Sequence, residues 1–352
     1  SSETIQKIAK YSDSEFTVLF TREVAVSFEE HAINRLYHIA NDTQSAILYS
    51  DYWEKKDNQI IAKPTIDYQI GSIRDDFDFG AVLFLNTNFF KKAINTNSKS
   101  SYKYAGLYDL RLKLSKISDI IHLSEFLYTE EAYINKEEEK HFAYLDVKNK
   151  EIQDEMEVVC TEHLKSIQAF LQDNFKTIEY KDEDFKYEAS VIIPVKNREK
   201  TIENAIESVL NQKTNFQYNL IIINNHSTDK TGEIIDKFDK KNKHIIHLIP
   251  ASKNLGIGGC WTLGVHHHLC GKFSIQLDSD DIYENSSTLQ TIVDTFYQTK
   301  SAMVIGSYTI TNFNMEIIPP GIIDHKEWTK ENGANNALRI NGLGAPRAFY
   351  TP

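Results

Sequence analysis

Apolar runs rich in Ile and Val alternate with stretches of helical spacing over residues 189–281, the most densely patterned part of the chain. Ala189–Val195 (ASVIIPV) has no polar face, which predicts a strand buried on both sides. Apolar positions then recur at Ile202, Ala205, Ile206, Val209 and Leu210, one face of a helix, with Thr201 as its expected N-cap. Tyr218–Asn224 (YNLIIIN) predicts a second buried strand. The polar turn Asn225-His226-Ser227-Thr228-Asp229 leads from it into a helix through Ile234, Ile235 and Phe238. A third strand is expected over 245–250. The glycine-rich run Asn254-Leu255-Gly256-Ile257-Gly258-Gly259 then precedes a helix over 260–268. A fourth strand over 273–277 ends in Asp278-Ser279-Asp280-Asp281. Alternation of this kind implies right-handed βαβ units and an α/β fold with a mostly parallel sheet. Such sheets bind ligands at the C-terminal ends of their strands, where the polar turns and the acidic cluster fall.

The rest of the chain is less regular. Leu289, Ile292, Val293 and Phe296 keep helical spacing, a strand is expected over 302–310, and 319–352 reads as loop-dominated. Arg347–Tyr350 looks like a strand without a closing element, so the chain is expected to be a piece of a longer protein. Residues 136–185 are charged at first (Glu137-Glu138-Glu139-Lys140). Met156, Val159, Cys160, His163, Leu164 and Ile167 then keep helical spacing, which predicts a helical connector with a solvated face. Over 1–135 strands are expected at Phe16–Phe20 and 45–49, with a helix over 29–40 between them. The expected division is therefore 1–135, 136–185 and 186–352.

Composition narrows the partners. With 352 residues, of which 41% are hydrophobic, the chain can bury sizeable cores and is not of a disordered type. Its 39 Lys+Arg against 50 Asp+Glu argue against nucleic acid as a partner. Three sparse cysteines, Cys160, Cys260 and Cys270, do not make a disulfide scaffold and fit a reducing compartment. No transmembrane run or leader is visible, so the expected location is cytoplasmic, with the inner face of a membrane and peripheral contact left open.

The chemistry concentrates in Asp278, Asp280 and Asp281. Carboxylates this close repel one another unless a cation joins them, and hard oxygen ligands select Mg²⁺ or Mn²⁺. A diphosphate oxygen about 5 Å from a carboxylate costs roughly 3 kcal/mol per unit-charge pair at an effective dielectric of about 20; a divalent cation reverses that sign. The alternative is a plain acidic turn with Asp281 capping a helix.

Four motifs in order bear on that choice: Ser190-Val191-Ile192-Ile193-Pro194-Val195-Lys196-Asn197-Arg198, Asn224-Asn225-His226-Ser227-Thr228-Asp229, Asn254-Leu255-Gly256, and Leu277-Asp278-Ser279-Asp280-Asp281. Together they resemble family 2 glycosyltransferases of the GT-A fold, a Rossmann-like nucleotide-diphospho-sugar transferase architecture, over about 186–352. The resemblance implies sugar transfer from a UDP- or GDP-linked nucleotide sugar to a glycan or glycolipid acceptor hydroxyl, usually with inversion, in polysaccharide or glycolipid synthesis. It implies that Pro194, Val195 and Asn197 line the nucleoside pocket and that Asn225 contacts the base. Asn254 and Ser279 join the nucleotide-sugar site. Asp280 is the implied metal ligand, and Asp278 a ribose or second metal contact. Gly342-Leu343-Gly344-Ala345-Pro346-Arg347 resembles the segment facing donor sugar and acceptor, which makes Arg347 either an implied phosphate contact or a surface residue. Asn224 departs from the family's Asp, and Trp261 stands where many relatives carry Arg. The catalytic base is expected after Pro352; Asp324, Glu327 and Glu331 do not match its motif.

A weaker resemblance covers 1–135. Ala46-Ile47-Leu48-Tyr49-Ser50-Asp51, Leu107-Tyr108-Asp109-Leu110-Arg111-Leu112-Lys113 and Glu125-Phe126-Leu127-Tyr128 look like the second half of another GT-A domain. It implies a smaller, degenerate, non-catalytic repeat, with Thr21-Arg22-Glu23 in place of the acidic motif and Leu107 at the base position.

Three other readings remain. His266-His267-His268 with Cys270 raises zinc, but adjacent helical residues diverge by about 100° and cannot converge on one ion. Asp278-Ser279-Asp280 after a strand also fits a phosphatase-like hydrolase, although Ile282 stands where that family wants Thr or Val. The last is a nucleotide-sugar-binding protein derived from a transferase and no longer catalytic.

Overall fold

The computed structural model describes residues 1–57, 59–69, 71–95, 101–131, 150–172, 175–181, 185–253, 255–325, 328–329, 333–340 and 346–351. The chain forms two compact units, Ser1–Asp173 with Glu327–Asn341, and Asn174–Lys326 with Gly342–Pro352.

The first unit runs α1 (Ser2–Tyr11), β1 (Phe16–Phe20), β2 (Ala25–Phe28), α2 (Ala32–Thr43), β3 (Ile47–Lys56), β4 (Gln59–Lys63), β5 (Val82–Asn86), α3 (Thr87–Asn95), α4 (Gly106–Leu114), β6 (Ile120–Glu131) and α5 (Lys150–Ser166). Its sheet has the order β1-β5-β3-β6-β2, with β4 paired to β3. Alternation along the strands sends Ile47, Tyr49, Leu83 and Leu85 to one face, against Phe90 of α3 and Leu110 of α4. Leu48 and Phe84 take the other face, against Ala32, Leu36 and Ala40 of α2. Helix α5, expected in a separate connector, buries Val159, Cys160 and Leu164 with Tyr108 and Leu112 of α4. Its apolar stripe is therefore part of this core. Residues 132–149, most of the expected charged stretch, lie outside the described residues.

The second unit runs β7 (Ala189–Val195), α6 (Ile202–Leu210), β8 (Tyr218–Asn224), α7 (Thr231–Asp239), β9 (Ile245–Leu248), α8 (Gly256–Val265), β10 (Phe273–Gln276), α9 (Thr288–Thr299), β11 (Met303–Ile305), β12 (Tyr308–Thr311) and β13 (Ile317–Ile323). Helix α10 (Gly333–Arg339) follows and belongs to the first unit, and β14 (Arg347–Tyr350) returns to the second. The sheet order is β11-β14-β10-β7-β8-β9. Strands β10, β7, β8 and β9 are parallel, and β14 runs antiparallel to both β10 and β11. One face packs α6 and α9 through Ile202, Ile206, Leu289 and Phe296; the other packs α8 through Ile192, Ile223 and Cys260. Gly264 lets α8 lie close, because a Cβ there would meet Ile192 Cγ2 at 2.7 Å.

Several expectations change. Thr201 is the N-cap residue of α6, but its side chain makes no capping bond. Helix α8 ends at Val265, so His266, His267 and His268 are not helical and the helix-based argument against zinc does not apply to them. The strand expected over 302–310 is two, β11 and β12, and the loop expected over 319–352 contains β13, α10 and β14. Arg347–Tyr350 is an interior strand; its partners lie far upstream, so local pattern could not reveal them. Residues 327–341, expected within the transferase block, fold with the first unit. There Arg339 is buried, with Nη1 bonded to Asp75 (2.5 Å) and Gln153 (2.8 Å).

One arrangement occurs twice. In the second unit β14 lies between β10 and β11, antiparallel to both, with α9 joining the outer two. In the first unit β5 lies between β1 and β3 in the same way, with α2 in the connection. The registers coincide: Ile275, Ala348 and Val304 align across one triplet, and Val18, Phe84 and Leu48 across the other. By that register Asp278-Ser279-Asp280 corresponds to Thr21-Arg22-Glu23. Arg22 there pairs with Asp78 (2.6 Å) and with the buried Glu130 (3.2 Å).

Candidate active site

The site follows from strand order. From β7 the chain moves outward through β8 and β9, then crosses back to place β10 on the other side of β7. The C-terminal ends of β7 and β10 thus flank a topological switch point, where α/β sheets open a crevice. Pairing of β10 with β7 ends at Gln276 opposite Ile192, and Leu277 N donates to Ile192 O (3.2 Å). Pro194 lies just past that point on the β10 side, so its missing N–H breaks no ladder bond there.

The loops after β7 and β8 are stitched together. Asn225 N donates to Val195 O (2.8 Å) and Asn197 N to Ser227 Oγ (3.0 Å). Asn197, at φ 53°, accepts Thr228 N through Oδ1 (2.7 Å). Arg198 N donates to Thr231 Oγ1 (2.8 Å). Asp229 accepts the amides of Glu199 (3.1 Å) and Thr231 (3.0 Å). Burial opposes its charge, but these bonds hold the Asp229 carboxyl below its usual range. The cap-type residues of the motif are thus spent mainly on fixing the loops.

Among the polar atoms buried without a protein partner are the Asn225 Oδ1 acceptor and the Arg347 Nε donor. Unpaired buried polar atoms are costly, so each points to a missing partner.

The acidic turn closes the crevice. Asp278 Oδ1 accepts from Gln276 Nε2 (3.2 Å), Ser279 is buried, and Asp280 is exposed with Oδ2 3.5 Å from Arg198 Nε. The Asp281 side chain is exposed at its surface, yet the protein atoms packed around its carboxyl, and then the charges of Asp278 and Asp280, push it up to about 6. The donor set is what a cation is tested against, and the hard carboxylate oxygens of Asp278 and Asp280 suit a divalent one. Among the described residues no three His, Cys, Asp or Glu side chains converge on one point. Ions of the Mg²⁺ type are usually held by one or two carboxylates, with phosphate oxygens and waters completing the shell.

Asn197, Arg198, Asp229 and Asp280 line a cleft of about 410 Å³ together with the exposed Phe313. A second cleft of about 340 Å³ is lined by Trp261, Gln276 and Arg347, and Gln276 is also the residue bonded to Asp278. Val195, Asn197, Asn225, Asp278 and Asp280 are therefore gathered at the ends of β7, β8 and β10. Asn254, Glu327, Glu331 and 341–345 lie outside the described residues. Arg198 and Phe313 were not singled out from sequence. Arg198 stands inside the first motif, but an exposed Phe between two short strands leaves no local signal.

The profile of glycosyl transferase family 2 matches residues 190–345. This stretch is thus similar to a family 2 glycosyltransferase domain. Its mostly parallel α/β sheet has the class of architecture expected from the motifs, and the chain carries a further α/β unit. An uncharacterized glycosyltransferase of Haemophilus influenzae is 31% identical over 166 residues, 46% of this chain and 48% of that protein. An uncharacterized glycosyltransferase of Rickettsia bellii is 44% identical over 94 residues, 27% of this chain and 13% of that one. The minor teichoic acid biosynthesis protein GgaB of Bacillus subtilis is 32% identical over 125 residues, 35% of this chain and 14% of the other. The chain thus spans less than half the length of these relatives. Among solved structures, residues 1–349 of S. aureus TarS give 20% identity and a TM-score of 0.35, covering 47% of each chain. The family match favours the transferase domain over the phosphatase-like alternative. No helix among the described residues is long and apolar enough to cross a membrane.

Proposed function

We propose that the chain is a glycosyltransferase that binds a UDP- or GDP-linked sugar at the ends of β7, β8 and β10 and passes the sugar, with inversion, to a glycan or glycolipid hydroxyl. One observation carries this reading: the switch point, in a stretch that matches the family 2 profile, gathers Val195, Asn225 and the acidic turn of Asp278 and Asp280 at neighbouring strand ends.

Pro194 and Val195 form the floor for the nucleoside, and the Asn225 amide oxygen accepts a base N–H such as that of uracil or guanine. Asn197 acts by holding the two loops in register. Asp280, with Asp278, would hold Mn²⁺ or Mg²⁺. When bound, such an ion offsets charge on the departing diphosphate. Arg347 Nε, buried and unpaired, offers a donor to the phosphates or donor sugar. The acceptor proton requires a carboxylate base, and no described residue is assigned that role. Relatives named for teichoic acid synthesis support a cell-surface polymer as product.

Thermal unfolding tests the reading. UDP or GDP with Mn²⁺ is expected to raise the melting temperature of the chain, and Asp280→Ala to abolish the rise. No shift with either nucleotide in the unaltered chain removes the proposal.

A further inference from the structure

We propose that Arg198 is a built-in counter-cation of the acidic turn, one that leaves Asp280 for the diphosphate when metal ion and nucleotide arrive. The proposal rests on the reading above and adds a residue that reading does not use.

In the structure Arg198 Nε lies 3.5 Å from Asp280 Oδ2, with both side chains about half exposed. The backbone beneath it is fixed, because Arg198 N is bonded to Thr231 and its neighbours' amides to Ser227 and Asp229. Only the side chain is left to move. The other carboxylates of the cleft are engaged elsewhere: Asp229 with two backbone amides, and Glu199 Oε2 with Lys230 N (3.0 Å). Asp280 is thus the carboxylate to which the guanidinium turns. A half-exposed ion pair contributes little stability, so exchanging it for a better partner is easy. A diphosphate is such a partner, since its oxygens match the guanidinium fork two at a time.

A second observation makes this exchange chemically useful. In the neighbouring cleft Trp261 packs its ring on the cluster of Ile192, Ile221 and Cys260. The indole supplies no charge to the phosphates. Arg198, by contrast, lines the Asp280 cleft itself. The guanidinium therefore competes with a metal ion for Asp280 when nucleotide is absent, and cooperates with it when nucleotide is present.

Those two roles move binding in opposite directions, which a merely structural residue would not do. In Arg198→Gln, Mn²⁺ alone, followed by the paramagnetic resonance of the free ion, is expected to bind roughly two- to fivefold tighter, as the competing charge is gone. UDP or GDP at saturating Mn²⁺, followed by calorimetry, is expected to bind roughly tenfold weaker. Arg198→Lys should recover part of both effects, and the melting temperature of the free protein should not change. Equal Mn²⁺ affinity in Arg198→Gln, or a shift of both affinities in one direction, overturns the proposal. If the unaltered chain binds neither Mn²⁺ nor nucleotide with Mn²⁺, the functional reading itself fails, and this inference with it.

Discussion

Asn225 shows how much of the site is decided by single atoms. Its N–H is tied to Val195, which fixes the residue, while its Oδ1 stays buried and unpaired. A base N–H would satisfy that acceptor. Asn225→Ala is therefore expected to weaken nucleotide binding about fivefold, one neutral hydrogen bond, while Asn225→Asp keeps the acceptor and most of the affinity; titration calorimetry measures both. At this scale the sequence is partly legible. Asp278, Asp280 and Asn225 stand out by their place, at the ends of apolar runs that read as parallel strands. The role of Asn197 does not stand out, because its left-handed φ and its bond to Thr228 exist only once β7 and β8 are paired. Arg198 escapes for the same reason, since its partner is far along the chain.

Among the elements, the parallel strands of the second unit are the readable part. Buried on both faces, each is a continuous apolar run that no helix period explains. Strands β11, β12 and β14 are short, partly exposed and paired at long range, so their pattern is weak. The repeated three-strand register relates the two units more firmly than residue identity does. It sets Arg22 where the second unit has its acidic turn, and there the guanidinium serves the carboxylates of Asp78 and Glu130. We propose that this fixed internal cation makes the first unit a non-catalytic repeat without need of a metal. Burial raises the Glu130 carboxyl above its usual range, and Arg22 opposes that. Arg22→Met should cost about 2 kcal/mol near neutral pH in urea unfolding, discounted because Arg22 is partly exposed. Glu130→Gln in the same chain should restore much of that loss. The sign with pH follows: a carboxyl with a raised folded pKa favours the fold while protonated, so the deficit of Arg22→Met should shrink as pH falls.

For the whole molecule, domain boundaries are the least legible feature. The helical stripe of α5 reads as a connector until Tyr108 and Leu112 supply its other half, and α10 is held through the buried Arg339 rather than by an apolar stripe. One group in this first unit sets a pH limit on stability. Burial, then Lys116 and Arg111, push His163 down to about 4. An unfolded histidine titrates near 6.5. Its contribution is therefore complete above about 6.5 and is lost as pH falls toward 4. His163→Gln should flatten that loss by about 1 kcal/mol between pH 7 and 5, with solvent screening already discounted, as read from urea midpoints.

The central claim is that Asp278 and Asp280 hold a divalent cation against a nucleotide diphosphate at the mouth of the β7–β10 crevice. Diffraction from crystals grown with UDP or GDP and Mn²⁺, recorded at the manganese absorption edge, tests this most directly. The expected result is an anomalous peak within coordinating distance of Asp280, bridged to diphosphate density, with the base beside Asn225. Nucleotide bound elsewhere, or in place with no metal signal at the acidic turn, contradicts it.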